Sequence, residues 1–412
     1  GGAPPLSARL RLLWVAAVRC VNRAVLWLVT RLLFRPLPHD LSRVRRILVY
    51  RTGNVGDILV NVPTLDALRR GFPHAELVLL TSPGQPGAPG ARELFAGAAW
   101  VDEMIVYHLA DVAGWRGRRE LVRRLRARGF DLCVSLPDPH STLPRELRAV
   151  ALARGAGCRH AVGFSATHVL RFAREQALWQ PAPREAERIY ALVADELRLP
   201  PPGPGLLPVP DADRAAAERL LEGEGLGGAR FVVMHPGAKR SNNRWFADRF
   251  AAVADALAER HGLRVVLTGS AGEREIVEGV AAHMRAEPVV LCGNTSLLEL
   301  AAVLDRAELY VGNDTGPMHL AAAVGTPVVA VFSARDFPGG WVPYGEGHAA
   351  LRRDVPCSPC FKEECDVGLL CLDAISVDDV LREAEARLPS RLPPAGARER
   401  EMEPGAASAS PR

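Results

Sequence analysis

The chain has 412 residues, more than one ordinary hydrophobic core can serve, so two domains are expected. With 48% hydrophobic and 24% charged residues its composition is globular. A formal net charge of +4 does not imply nucleic acid, and eight cysteines in a chain this size make no disulfide scaffold, which points to a reducing, cytosolic setting. The positive charge is concentrated at the amino terminus, where Gly1 to Arg51 holds ten arginines and one acid, Asp40.

Leu6 to Pro36 is apolar but interrupted by Arg9, Arg11, Arg19, Arg23, Arg31 and Arg35, and no uncharged run in it approaches the ~20 residues that span a bilayer. On a helical wheel Arg11, Arg19, Asn22, Arg23 and Thr30 share about a third of the circumference. Leu13, Trp14, Val18, Val21, Val25, Leu28 and Leu32 take the other side. This is the pattern of a helix lying in a membrane interface with its arginines toward anionic headgroups, the alternative being a helix packed on the protein body or in a dimer. From Val44 strand-like and helix-like segments alternate. "RILVY" leads to a helix over "ILVNVPTLDALRRG", then come the strands "AELVLLT", "EMIVYH" and "DLCVSL" with helices between, "RHAVGF", and a helix over "REAERIYALVADELRL". The proline-rich "LPPPGPGLLPVPDA" (Leu199 to Ala212) can continue neither helix nor sheet and reads as a linker. The alternation then restarts with "RFVVMH" and runs through "LRVVLTG", "PVVLC" and "ELYVGN" to "PVVAVF". Such alternation implies parallel sheets with helices on both faces. The expected division is 1–42 as the basic helix, 43–200 and 201–388 as two Rossmann-like domains, and 389–412 as a tail disordered by composition.

In open α/β sheets ligands bind beyond the carboxyl ends of strands, so the loops there carry the information. The first, "RTGNVGDILVNVP", has Gly53 and Gly56 to allow a tight turn, and Asp57 at or near a helix start. A carboxylate there can simply cap the helix, or it can face a cleft and take the proton of a hydroxyl. The glycine spacing is not that of a dinucleotide fingerprint, and there is no Walker lysine. The second loop, "HPGAKRSNNRWF", has Gly237 to free the backbone and Lys239, Arg240 and Arg244 to bring positive charge to a helix start, which suits a diphosphate without a metal. The third, "GNDTGPMHLAAAVGTP", puts Asp314, Thr315 and Gly316 at a strand end, with His319 in the first turn of the following helix.

In order and spacing, "GNVGDILVNVPTLDALR", "HPGAKRSNNRW" and "GNDTGPMHLAAAVGTPVVAVF" resemble the heptosyltransferases of glycosyltransferase family nine over roughly Arg46 to Val380. The resemblance implies an α/β, GT-B-type fold of two doubly wound domains facing a cleft, with the acceptor on the amino-terminal domain and a nucleotide sugar on the other. It implies transfer of a heptose from ADP-heptose to the lipopolysaccharide inner core, with inversion and no required cofactor or metal. Asp57 then matches the base, Lys239 the phosphate lysine, and Asp314, Thr315, Gly316 and His319 the donor motif. The expected partners are the nucleotide-sugar donor, a lipid-linked saccharide acceptor and, through the basic helix, an anionic membrane surface, but no nucleic acid. The expected place is the cytoplasmic face of the bacterial inner membrane. A transferase for another sugar or acceptor, a silent nucleotide-sugar-binding scaffold, and a nicotinamide oxidoreductase are the competing readings. The first competitor differs only in ligand. Asp57, Lys239 and the intact Asp-Thr-Gly-x-x-His run argue against the second, and the missing dinucleotide glycines against the third. Two segments stay apart from this reading. The loop "PDPHSTLP" sits where an acceptor would be read, and Cys357, Cys360, Cys365 and Cys371 have the density of a zinc or iron site without any metal being required.

Overall fold

The computed structural model describes residues 6–83, 90–95, 97–167 and 182–388, so the expected carboxyl-terminal tail lies outside the described residues. After a long first helix, α1 (Leu6–Leu33), the first half comprises β1 (Arg46–Tyr50), α2 (Val55–Leu59), α3 (Val62–Gly71), β2 (Glu76–Thr81), α4 (Ala91–Leu94), β3 (Glu103–Val106), α5 (Trp115–Arg126), β4 (Leu132–Ser135), α6 (Leu143–Gly155), β5 (His160–Val162) and α7 (Glu185–Leu197). The second comprises α8 (Asp211–Gly223), β6 (Phe231–His235), α9 (Ala247–His261), β7 (Arg264–Leu267), α10 (Arg274–Ala281), β8 (Val289–Val290), α11 (Leu297–Arg306), β9 (Leu309–Asn313), α12 (Gly316–Ala323), β10 (Val328–Phe332), β11 (Ala349–Arg352), α13 (Leu370–Asp373) and α14 (Val377–Glu385).

Both sheets are parallel throughout and share one winding. The first runs β3-β2-β1-β4-β5 and the second β8-β7-β6-β9-β10-β11. Central strands are buried on both faces, which is why "RILVY" and "FVVMH" are unbroken apolar runs rather than alternating ones. Side chains alternate between faces: Ile47 and Val49 join the core with α3 and α7, whereas Leu48 joins a separate core with Leu121 and Leu125 of α5, Val150 and Ala153 of α6, and Leu26 and Phe34 at the end of α1. The Ile47 core continues without interruption into α8, α11 and α12 of the second half, so the two halves meet through apolar packing.

Several elements depart from the sequence reading. The helix expected from Ile58 to Gly71 is two helices, interrupted at Val60–Asn61, because Pro63 in the first turn of α3 has no N–H to continue the ladder. The proline-rich segment is followed by a helix the reading passed over, α8, and the segment itself is strapped down. Leu207 and Val209 are buried, the Tyr344 hydroxyl donates to the Gly203 carbonyl (3.2 Å), and Arg70 donates to the Pro201 carbonyl (2.7 Å). Beyond β10 the chain adds a sixth strand, β11, and α14, which packs on α9.

Helix α1 also differs. It buries Val15 and Leu26 and half-buries Val18, Asn22, Val25 and Val29, so a strip the wheel divided between polar and apolar sides is turned to the protein. Leu10, Leu13, Trp14, Val21, Leu28 and Leu32 remain exposed. Counted by length and composition alone, Leu13–Leu33 is long and apolar enough to cross a membrane, although Arg19, Arg23 and Arg31 interrupt it.

Candidate functional site

The three loops meet. The carboxyl ends of β1, β6 and β9 open onto one cavity of about 1270 Å³, lined by Gly56 and Asp57 from the first half and by Lys239, Asp314, Thr315, Gly316 and His319 from the second. Gly237 lies beside it and shapes its wall, while Gly53 sits beneath Asp57.

Asp57 occupies the first turn of α2. Its Oδ2 accepts the N–H of Asn54 (2.8 Å), and its Oδ1 lies 3.6 Å from Nη2 of Arg51, so the capping reading is correct as far as it goes. The side chain nonetheless keeps about a quarter of its surface open to the cavity. Arg51 is fully buried; its Nη1 donates to the Leu136 carbonyl (2.9 Å) and Nε to the Asp57 carbonyl (3.1 Å). Desolvation lowers the Arg51 pKa while Asp57 and Glu185 oppose the loss of its charge. Gly53 is the position that requires glycine conformationally: its φ is +141°, and an added Cβ would fall 2.4 Å from Cβ of Asp57.

The other two glycines have a different reason. Gly56 has no unusual φ, but a Cβ there would stand 3.2 Å from Cδ2 of His319 and 3.7 Å from Cα of Gly316. A Cβ on Gly316 would stand 3.2 Å from Cβ of Val55. These two glycines thus mark one place where α2 and α12 come into close contact beside the cavity. A Cβ on Gly237 would fall 2.2 Å from Oε1 of Glu273, so this glycine makes room for a carboxylate rather than freeing the backbone.

The cations divide. Arg240 is drawn off by Glu363 (2.6 Å) and Arg244 by the Ala238 carbonyl (2.8 Å), whereas Lys239 is exposed toward the cavity with no ionic partner among the described residues. Thr315 is the N-cap residue of α12 in extended conformation, which leaves the amino end of that helix directed at the cavity. Its hydroxyl and the Tyr310 phenol are buried near one another, neither in a well-aligned hydrogen bond among the described residues. Burial, with Asp336 adding to it, pushes the Asp314 carboxyl up to about 7 against the pull of Arg335 and Arg240. Burial, with His348 adding to it, pushes His319 down to about 4, so its ring is neutral at physiological pH; it meets Trp341 edge to face at 6.1 Å.

Sequence reasoning missed three lining residues. Glu273 accepts from both the N–H and the hydroxyl of Ser270 (2.8 Å each), a Ser-x-x-Glu capping box that reads in sequence as a helix start. His140, from the undecoded loop after β4, reaches across the cleft to Asp336 in the loop after β10, with Nε2 3.2 Å from Oδ2. A histidine and an aspartate 196 residues apart leave no local signature. Outside the site, the four carboxyl-terminal cysteines line one small pocket, but among the described residues no group of three or more His, Cys, Asp or Glu side chains is set to hold a metal ion.

Two doubly wound parallel sheets facing each other across a cleft, with a carboxylate on one wall and a lysine and helix amino end on the other, define a GT-B-type fold. The sequence profile of glycosyltransferase family 9 (heptosyltransferase) matches residues 118–370, and the chain belongs to that family. It is 28% identical over 364 residues to lipopolysaccharide heptosyltransferase 3 of Escherichia coli (strain K12), covering 82% of this chain and 97% of that one. Among solved structures, a family 9 glycosyl transferase from Veillonella parvula DSM 2008 matches with a TM-score of 0.68 at 22% identity, over 85% of this chain and 98% of that one. The E. coli heptosyltransferase WaaC, solved with ADP, matches with a TM-score of 0.57 at 21% identity, over 83% and 99%.

Proposed function

We propose that the chain transfers a heptose from ADP-heptose to a lipopolysaccharide inner-core acceptor, by direct displacement with inversion at the anomeric carbon. The observation that carries this reading is that Asp57 and the Lys239–Thr315 set line one cavity from opposite walls, with Gly56 and Gly316 in close contact beside it. The E. coli relative named above is a lipopolysaccharide heptosyltransferase, and one structural neighbour is a heptosyltransferase solved with ADP, which supports the choice of donor and acceptor.

In the proposed step an acceptor hydroxyl on the Asp57 side attacks the anomeric carbon while the bond from that carbon to the β-phosphate oxygen breaks. The hydroxyl proton passes to the Asp57 carboxylate, which Asn54 and Arg51 hold in place. The departing ADP gains negative charge, which Lys239 and the amino end of α12 stabilise. Asp314 and His319 lie beside these groups, where they would contact the sugar or the phosphates. Asp57→Asn should keep donor binding close to wild type and lower turnover by ~10²–10⁴-fold, the usual contribution of general-base help. Turnover within a few-fold of wild type would return Asp57 to the role of helix cap. Product NMR should show inverted anomeric configuration, and a chelator should leave the rate unchanged; loss of activity on chelation would overturn the metal-free cationic site.

The same reading places the enzyme at the cytoplasmic face of the inner membrane, with α1 lying in the headgroup region. Helix α1 packs on α6 and turns Leu26 and Val29 into the core beneath the two helices, while its outer strip of Leu13, Val21, Leu28 and Leu32 suits the interface. Replacing those four residues by serine should reduce sedimentation with anionic vesicles and leave turnover of a detergent-dispersed acceptor intact. Unchanged sedimentation would assign the strip to contact with another protein.

A further inference from the structure

The membrane reading above rests on α1 alone, yet α1 is one helix of a three-helix layer. With α5 and α6 it covers one face of the first sheet, and the core beneath that layer is built solely from residues of the first half. The layer therefore points away from the cleft partner. Its charge is lopsided in a chain of net charge +4: α1, α5 and α6 carry five, six and three arginines against two glutamates. Of these, Glu146 is buried and Glu120 is paired with Arg123 (2.7 Å).

Helix α5, "WRGRRELVRRLR", is the densest part. Leu121 and Leu125 turn toward the sheet, which sets Arg116, Arg119, Arg123 and Arg126 on the outward side and Arg124 on its flank, all exposed. Arg118 is engaged with the Val112 carbonyl (2.8 Å) and belongs to the helix start. At that start two large apolar side chains stand in solvent, Trp115 at 67% and Leu109 at 61% exposure, and the Arg116 guanidinium lies 5.5 Å from the Trp115 ring. Because α5 runs back from the carboxyl end of β3, these residues lie at the cleft end of the sheet. On α6, Arg148 and Arg154 are exposed.

A charged helix face is ordinarily a solvated one, held together by pairs of opposite sign at i and i+4. Here one glutamate faces six arginines, and an aromatic and a leucine are exposed at the rim. A second copy of the chain offering the same surface would set arginine against arginine, which disfavours it. Arginines around an exposed tryptophan, on the same helical layer as the apolar strip of α1, match the phosphate and interfacial zones of an anionic bilayer. We propose that α5 is a second membrane contact, so that the α1–α6–α5 layer as a whole docks on anionic phospholipid. This rests on the membrane reading of α1, and it orients the enzyme with the cleft end of the first sheet near the headgroups from which a lipid-linked acceptor would enter.

The test uses the full chain and flotation with phosphatidylcholine vesicles, with and without phosphatidylglycerol. Three proteins are compared: wild type, an α5 variant (R116Q/R119Q/R123Q/R124Q) and the α1 serine variant. None of these residues lines the cavity, so circular dichroism and turnover of a detergent-dispersed acceptor should match wild type for all three. Each arginine near an anionic surface strengthens binding about fivefold, so the α5 variant should lose affinity for phosphatidylglycerol vesicles by about a hundredfold or more while α1 is intact. Wild-type binding should itself fall steeply with added salt. If wild type floats and the α5 variant floats equally well, this inference fails and the α1 reading stands. If wild type ignores anionic vesicles at low salt, both fail. Tighter binding to a DNA duplex than to vesicles at equal ionic strength would also overturn the assignment of the surface to lipid.

Discussion

At the scale of single residues, the site separates groups that bring charge from groups that only make room. Lys239 and Thr315 both face the proposed diphosphate, but a charged donor contributes about 1.5–3 kcal/mol per hydrogen bond and a neutral one about 0.5–1.5. Lys239→Ala should therefore weaken ADP binding more than Thr315→Ala, and both should leave adenosine binding nearly unchanged; calorimetric titration of the two ligands reads this directly. Equal losses for ADP and adenosine would remove Lys239 from the phosphates. Gly56 has the opposite character. Its missing side chain is what lets α2 approach His319, and an alanine there must displace the ring by a few tenths of an ångström. The interior core is untouched by that change, so the thermal midpoint should move little. The distance between Asp57 and the donor wall should change, and misplacement well under 1 Å is expected to lower turnover on the order of tenfold. A Gly56→Ala enzyme with wild-type turnover would show that the cleft closes with slack to spare.

At the scale of elements, what could be read from sequence is what local chemistry encodes. A strand, a glycine turn and a helix start recur at Tyr50–Asp57 and at Asn313–Gly316. These elements appear where expected because Gly53 needs its φ of +141° locally and because the extended Thr315, with Pro317 in the first turn after it, starts its helix locally. Helix α8 escaped because eight residues of proline and glycine before it dominate the window, although acidic Asp211 and Asp213 in its first turn were a valid start signal. The faces of α1 escaped for another reason. The buried Val15 and Leu26 lie roughly 160° around the helix from the exposed Leu13, Val21 and Leu28 and share their arc with Arg19, Asn22 and Thr30, so a wheel reads as polar the strip that is turned to the protein. The reason for Gly56 and the place of Glu273 were illegible because each depends on a chain segment far away in sequence: His319 for the first, Gly237 for the second.

At the scale of the whole molecule, the two halves are joined by an apolar core and closed over the cavity by few polar contacts, of which His140–Asp336 crosses the cleft directly. The hydrogen bond to Asp336 raises the His140 pKa above its ordinary value, more than burial lowers it, with Asp138 and Glu185 adding to the rise. Burial works against the charge of Asp336, but the hydrogen bond and charge of His140 outweigh it and hold that carboxyl below the ordinary range. The signs then fix the window. The histidine contributes fully below its unfolded value of about 6.5 and its contribution is lost as pH rises through the raised folded value. The aspartate contributes above the ordinary carboxylate value and its contribution is lost as pH falls through the lowered one. The clasp is therefore complete in mild acid and loosens above neutrality. Asp314, next to Asp336 and titrating at about 7, adds negative charge over the same interval and must be separated from it. Small-angle scattering of the unliganded enzyme should show a larger radius of gyration at pH 8.5 than at pH 6. His140→Asn, which keeps the size but cannot carry the charge, should flatten that difference while Asp314→Asn should retain most of it. A wild-type radius that does not change between the two pH values would mean that the apolar core alone sets the angle between the halves, and that His140 serves the acceptor rather than closure.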